Sequence, residues 1–186
     1  MTIEPTPWRN IEQAILHWFS ESTGLKTIWA NQDGPQPAWP YGILNRIAVT
    51  KVGQDGVRYE VENDRLDAHF CGLRYFTLSC QIDLGPIGKC DLDAVAALEA
   101  AQFALALPRY RERFRGVDIA LTGDNDPIEK FDVVVADVWN SRAQMDLVFL
   151  TTANVTERDI HDIRTVKITS NITGTDRQID DEPFGG

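Results

Sequence analysis

The sequence predicts an α+β fold, a two-layer sandwich in which a mostly antiparallel mixed sheet carries its helices packed on one face. Three observations lead there. Element signals follow the order helix, strands, helix, strands. The strand segments are joined mainly by short hairpin-type turns rather than long crossovers. One run, Leu73 to Asp83, alternates with period two: Phe76, Leu78, Cys80 and Ile82 face one way, and Tyr75, Thr77, Ser79 and Gln81 the other.

The first element is a helix over about residues 7–22. Thr6 offers a side-chain cap, Pro7 stands where no donor is lost, and Trp8, Ile11, Ile15, Trp18 and Phe19 form one stripe before Gly24. Leu25 to Ala30 reads as a short strand. Pro35, Pro37 and Pro40 then remove three backbone donors and fix three φ angles, which predicts a stiff, extended loop. The aromatic at Trp39 favours a cis bond to Pro40. Tyr41 to Thr50 alternates as a strand, and Gly53-Gln54-Asp55-Gly56 reads as a turn. Residues 57–70 are charged and predict an edge ribbon or hairpin arm.

Gly85-Pro86-Ile87-Gly88 breaks the strong strand. Asp91 is a candidate cap for a helix over Leu92 to Leu107, so apolar all round that it needs cover on more than one face. Pro108 ends it, and Arg109 to Arg115 add a short basic turn. Val117–Leu121, Phe131–Trp139 and Ala143–Thr152 read as strands, the last two paired around Asn140-Ser141-Arg142. Residues 161–170 are a weaker strand candidate, and 173–186 are polar, acidic and predicted to be disordered in isolation. The domain reading is one α+β domain over 1–172, with an arm at about 53–70, and a flexible acidic tail over 173–186.

The chain has 186 residues, of which 43% are hydrophobic and 25% charged, so wholesale disorder is excluded. Eighteen Lys and Arg against 28 Asp and Glu leave a net charge of −10. That balance counts against sequence-independent nucleic-acid binding, which needs a cationic face, and against docking to an anionic membrane. No apolar run approaches the ~20 residues that span a bilayer. Met1 to Pro7 lacks the order of a signal peptide, so synthesis in the cytoplasm is expected. Cys71, Cys80 and Cys90 contain no Cys-x-x-Cys pair and read as free thiols in a reducing compartment.

The search for chemistry yields little. His17, His69 and His161 sit in unrelated segments, and no Gly-x-Ser-x-Gly elbow supplies a nucleophile for His161-Asp162. Asp124, Asp126, Glu129 and Asp132 read as a solvated acidic loop, with a divalent-metal site as the sharper alternative; the spacing fails the EF-hand pattern. Phosphate loops are absent. Arg109, Arg111, Arg113 and Arg115 make the dense basic patch, read either as a solvated helix end or as a contact surface for acidic segments. The residues predict a soluble α+β domain that is not an enzyme, with no metal and no cofactor.

Two segments go further. Ile28-Trp29-Ala30-Asn31-Gln32-Asp33-Gly34-Pro35-Gln36-Pro37-Ala38-Trp39-Pro40-Tyr41 resembles the aromatic–Ala-Asn-Gln…Pro-x-x-Pro-Tyr stretch of tailed-phage neck and tail-terminator proteins. Asp137-Val138-Trp139-Asn140-Ser141-Arg142-Ala143-Gln144-Met145-Asp146-Leu147 is similar to a Trp-x-x-Arg-Ala stretch late in that family. The resemblance covers about residues 8–152, and neither 57–70 nor the chain beyond 155 matches a placed motif.

The resemblance implies a non-enzymatic structural protein of the virion neck, made in the host cytoplasm. It implies a hexameric ring that caps the tail tube, stops its polymerisation and joins it to the neck connector or stopper, with sheath contacts if the tail contracts. DNA would slide through the lumen unbound, which suits an acidic chain. The alternatives are another head–tail connector or completion protein, and a small hydrolase or metal-binding domain using Asp124, Asp126 and His161. Candidate interface residues are Trp29, Pro37, Trp39, Pro40, Tyr41, Arg109, Arg111, Arg113 and Arg142. Trp29, Trp39 and Tyr41 could equally plug the underside of their own loop. Arg142 is placed in a turn with Asp137 and Asp146 as nearby carboxylates. The ribbon at 57–70, or the tail at 173–186, is expected to order on assembly, received by Arg109–Arg115.

Overall fold

The stripe of Trp8, Ile11, Ile15, Trp18 and Phe19 forms the expected helix, α1 (Trp8–Thr23), in a computed structural model that describes residues 8–30, 35–62, 65–125 and 127–160. Gly24 stops it at φ 70°, its N–H bonded to the Ser20 carbonyl at 2.9 Å. The expected Thr6–Pro7 cap lies outside the described residues, as do the strand candidate at 161–170 and the tail at 173–186.

The sheet begins with β1 (Lys26–Trp29), which runs parallel to β2 (Tyr41–Glu62). All further pairings are antiparallel. β2 pairs with β3 (Arg65–Pro86), and β3 with the long final strand β6 (Val138–Ile160). Two short strands share the far edge of β6: β4 (Ile119–Asn125) along its second half and β5 (Glu129–Val135) along its first. Two more helices, α2 (Ala94–Ala104) and α3 (Pro108–Arg115), precede β4. The fold is therefore the α+β class expected, a six-stranded, mostly antiparallel sheet with three helices.

One face of the sheet presents Leu44, Phe76, Leu78, Cys80, Ile82, Ala143, Met145, Leu147 and Phe149, all buried against the helices. Phe76 stacks on Phe149 with centroids 5.3 Å apart, and Phe114 of α3 meets Phe149 edge-on at 5.8 Å. Trp18 Nε1 donates to the Ala101 carbonyl at 3.2 Å, tying α1 to α2. Burial holds the Cys80 thiol well above its usual range, with Asp146 adding to the shift, so it acts as an inert apolar group.

Five expectations change. Gly53–Gly56 does not turn the chain: β2 runs straight through it, and the register steps from Val52↔Leu73 to Gly56↔Cys71 as a bulge. Asp55 explains the outcome, because its carboxylate is held by Lys51 Nζ at 2.9 Å and Arg74 Nη1 at 2.8 Å. The β5–β6 turn is not at Asn140–Arg142 but at Ala136-Asp137, both left-handed at φ 49° and 64°, the two-residue geometry that matches strand twist. Helix α2 is capped by Asp93, whose side chain accepts from Val95 N–H at 2.9 Å, not by Asp91. It is covered on one side alone, through Ala94, Ala97, Leu98, Ala101 and Ala104, and Phe103 stands 78% exposed. Pro108 starts α3 at its first turn rather than merely ending α2.

The charged ribbon is a hairpin whose β3 half lies inside the sheet and whose β2 half, 57–62, is an edge, since among the described residues β1 pairs with β2 at 41–44 alone. β2 over 57–62 pairs with β3 over 65–70, which also pairs with β6, so the arm is three strands wide. Its root is tight. A Cβ on Gly72 would overlap the Asp55 carboxylate and reach 2.6 Å from Arg74 Nη1. Hydrogen bonds from Arg74, then Lys51, hold the Asp55 carboxyl down to about 2. Because that value lies below the unfolded one, the tie is present above about pH 4 and is lost as pH falls through about 2. Gly72→Ala and Asp55→Asn are each expected to speed amide exchange in the arm roughly tenfold at neutral pH while leaving exchange in α1 unchanged, as read by hydrogen-exchange mass spectrometry.

Candidate functional site

Two segments a hundred residues apart meet on the face of the sheet turned away from the helices. Tyr41 of β2 lies opposite Asp83 of β3, which lies opposite Arg142 of β6, and Phe131 of β5 completes the row. In-register partners share a face, and the neighbours Ile82 and Ala143 point into the core, so this row points the other way. Asp83 is fully buried.

The carboxylate of Asp83 has three partners. Its Oδ1 accepts from Gly85 N–H at 2.9 Å. Its Oδ2 takes the Arg142 guanidinium, Nη2 at 2.7 Å, and the Tyr41 hydroxyl at 3.3 Å. Gln36 Nε2 donates in turn to Tyr41 Oη at 2.6 Å, which draws in the proline loop. A buried charge is tolerable only when paired and hydrogen-bonded like this. Burial first, then the charge of Asp83, pushes the Tyr41 phenol above its ordinary range, so it stays neutral and donates. With three of its roughly four acceptor directions engaged, one of them by a guanidinium, Asp83 is a structural tie.

The loop closes over this row. The Trp39–Pro40 peptide bond is cis, and the Trp39 ring lies on Gly85, where a Cβ would sit 2.6 Å from the ring. Gly85 also has φ 73°, so both its conformation and its contact require glycine. Ile87 N–H donates to the Trp139 carbonyl at 2.9 Å. Trp39 and Trp139 therefore flank the same short segment after Asp83, one from each family-like motif, 46% and 58% exposed. Ile87, Val134, Val135 and Val138 are exposed at the same end of the sheet.

The nine expected interface residues divide among three places. Pro37, Trp39, Pro40, Tyr41 and Arg142 belong to this end. Arg142 sits inside β6, not in a turn; Asp137 is in the β5–β6 turn, and Asp146 accepts from Gln144 at 3.1 Å. Trp29 is half-buried on β1, packed against the core. Arg109, Arg111 and Arg113 are on α3, where Arg113 pairs with Glu21 at 3.1 Å and Arg109 lies 4.6 Å over the Tyr110 ring. Sequence reasoning missed Asp83 and Trp139. Asp83 falls on the polar phase of a correctly placed strand, a pattern that says outward, not buried.

The other sequence candidates stay apart. His17 lies 3.4 Å from Glu21, and His69 is 3.1 Å from Thr156 Oγ1; His161 and Asp126 are outside the described residues. Among the described residues no group of three or more His, Cys, Asp and Glu is placed to hold a metal ion, and no helix is long and apolar enough to cross a membrane.

Removing either partner strands a buried charge, so Asp83→Asn and Arg142→Ala are each expected to lower unfolding free energy by about 3 kcal/mol, read by urea denaturation. Arg142→Lys keeps the charge but loses the planar fork, for about 1–2 kcal/mol. The raised Tyr41 value gives a second test. A group that holds its proton more tightly when folded stabilises below its unfolded value, about 10, and loses that contribution as pH rises through the folded one. The melting temperature is expected to fall above about pH 10, and Tyr41→Phe to flatten that fall.

Comparison with known proteins gives one identification. A profile of the family described as phage neck terminator protein matches residues 9–176. A comparison with curated proteins finds no match. The match spans all nine elements and both segments that meet at Asp83, and on it the chain belongs to the phage neck terminator protein family.

Proposed function

We propose that this chain is a ring-forming subunit of the neck that caps the tail tube, stops its polymerisation and joins it to the head connector. The observation that carries the reading is the convergence of the two motif segments on Asp83. At that end of the sheet Trp39, packed on Gly85, and Trp139 stand exposed, and Arg142 is tied to Asp83. Tryptophan, tyrosine and arginine on rigid elements are the chemistry of binding anchors, because little entropy is lost when a partner covers them. A buried carboxylate held by a guanidinium, a phenol and a backbone N–H, at the same place, serves structure.

In this reading the end of the sheet bearing both tryptophans meets a neck partner, the connector or stopper protein. Other surfaces contact further copies of the chain, in a hexamer, and the tail tube; a contractile tail adds the sheath. The subunit is made in the host cytoplasm and resides in the virion neck. DNA passes through the lumen without specific binding, and the net charge of −10 keeps its phosphates from sticking.

Electron microscopy of particles made without the gene tests the reading. Overlong or headless tails with unfinished upper ends are expected; tails of normal length that fail only to join heads would make the chain a connector completion protein instead. Trp39→Ala with Trp139→Ala, two exposed positions, is expected to leave the melting temperature within a few degrees. The same pair should cut head–tail joining at least about tenfold, counted as joined particles per free tail.

A further inference from the structure

The hollow between the end of α2, α3 and β4 takes part in none of the contacts above. Its volume is about 660 Å³, within the range of pockets that hold ligands. Leu105, Phe114 and Leu121 give it apolar walls. Arg111 and Arg115 line it together with Asp118, so its charged groups leave one positive charge in excess. Among the described residues neither Arg111 nor Arg115 is paired with a carboxylate, whereas Arg113 of the same helix is held by Glu21. Two unpaired guanidinium groups beside an apolar recess suit an occupant with several carboxylates next to an aromatic side chain.

The chain itself contains that chemistry. Residues 173–186 hold Asp176, Asp180, Asp181 and Glu182 against Arg177 alone, and Ile179 and Phe184 flank the run of three acids. Distance also fits. The described chain stops at Ile160, and Thr152 of the same strand lines the hollow. Eight residues of strand separate the two, or about 26 Å. Asp180 lies twenty residues beyond Ile160. A chain of that length with random-coil statistics spans about 25 Å. A tether whose mean length matches the span gives the highest effective concentration, so binding within a copy outcompetes binding between copies at micromolar protein.

We propose that the acidic segment Ile179–Phe184 returns to the hollow of its own copy, where Asp180, Asp181 and Glu182 meet Arg111 and Arg115 and Phe184 fills the apolar recess. The carboxylates outnumber Asp118 three to one, so attraction to the two arginines outweighs repulsion from that single acid. The contact belongs to one copy and stands whether or not copies close into a ring.

Hydrogen exchange of the full chain, followed by mass spectrometry over the amides of 105–122, tests it. Asp180→Lys with Asp181→Lys, and Arg111→Glu with Arg115→Glu, are each expected to speed exchange there at least about tenfold, and by less at high salt. All four changes in one chain are expected to bring it back to within about threefold of the wild type. Asp118→Asn removes the one opposing charge at a residue with φ 55°, which asparagine also adopts, and is expected to slow exchange about threefold. Exchange in α1 reports the fold and should not change; if the arginine pair loosens α1 too, the Asp180–Asp181 and Asp118 variants decide. The wild-type rates are expected to be equal at about 1 and about 100 µM protein. Protection that rises with concentration puts the segment of a second copy in the hollow and overturns the proposal. Wild-type exchange in the Asp180–Asp181 variant, or reversals that fail to rescue each other, overturns it as well.

Discussion

The antiparallel ladder between β3 and β6 is the constraint on which the rest of the molecule depends. It runs from Leu66 opposite Ile160 to Pro86 opposite Asn140, far longer than the helix layer it carries. Its middle puts Phe76 on Phe149 and so builds the core. One end puts Asp83 beside Arg142, and the other makes the third strand of the arm. Side chains alternate with period two, so a slip of one residue would turn Phe76, Leu78, Cys80 and Ile82 outward together and pull Asp83 from Arg142. Core, lock and arm share a single register.

The two ends of that ladder use different physics. The arm is held by backbone pairing and by a solvent-facing ion cluster, Asp55 with Lys51 and Arg74, which is worth little by itself but sits where Gly72 leaves it no freedom. The other end buries a charge, an arrangement that adds little net stability compared with a well-packed apolar substitute. What the buried Asp83 contributes is position. Three strands and the proline loop agree on one geometry because the carboxylate has no other way to be satisfied.

The apolar surface follows the same division. Core side chains are interdigitated beneath the helices, while Trp39 and Trp139 at one end and Tyr59 and Val61 at the other stay in solvent. The exposed groups stand on strands, or on a loop clamped to strands. For a member of the neck terminator family, whose role is contact with other virion proteins, such a layout keeps binding surfaces ordered before a partner arrives.

The sequence by itself determined what local chemistry decides. It was enough for α1, since its stripe repeats at 3.6 residues, for the strand phase of 73–83, for the absence of helix or strand at 35–40, and for the resemblance of two segments to the neck terminators. It failed where residues act across the chain. Gly53–Gly56 has turn composition, yet Arg74, nineteen positions from Asp55, makes it a bulge. Arg142 has carboxylates close in sequence, yet the ladder gives it Asp83. Asp83 itself looks like an outward polar residue, because period two reports which face a side chain is on and not whether a loop thirty residues or more away will cover that face. Burial and pairing are properties of the assembled sheet, so tertiary structure alone decided them.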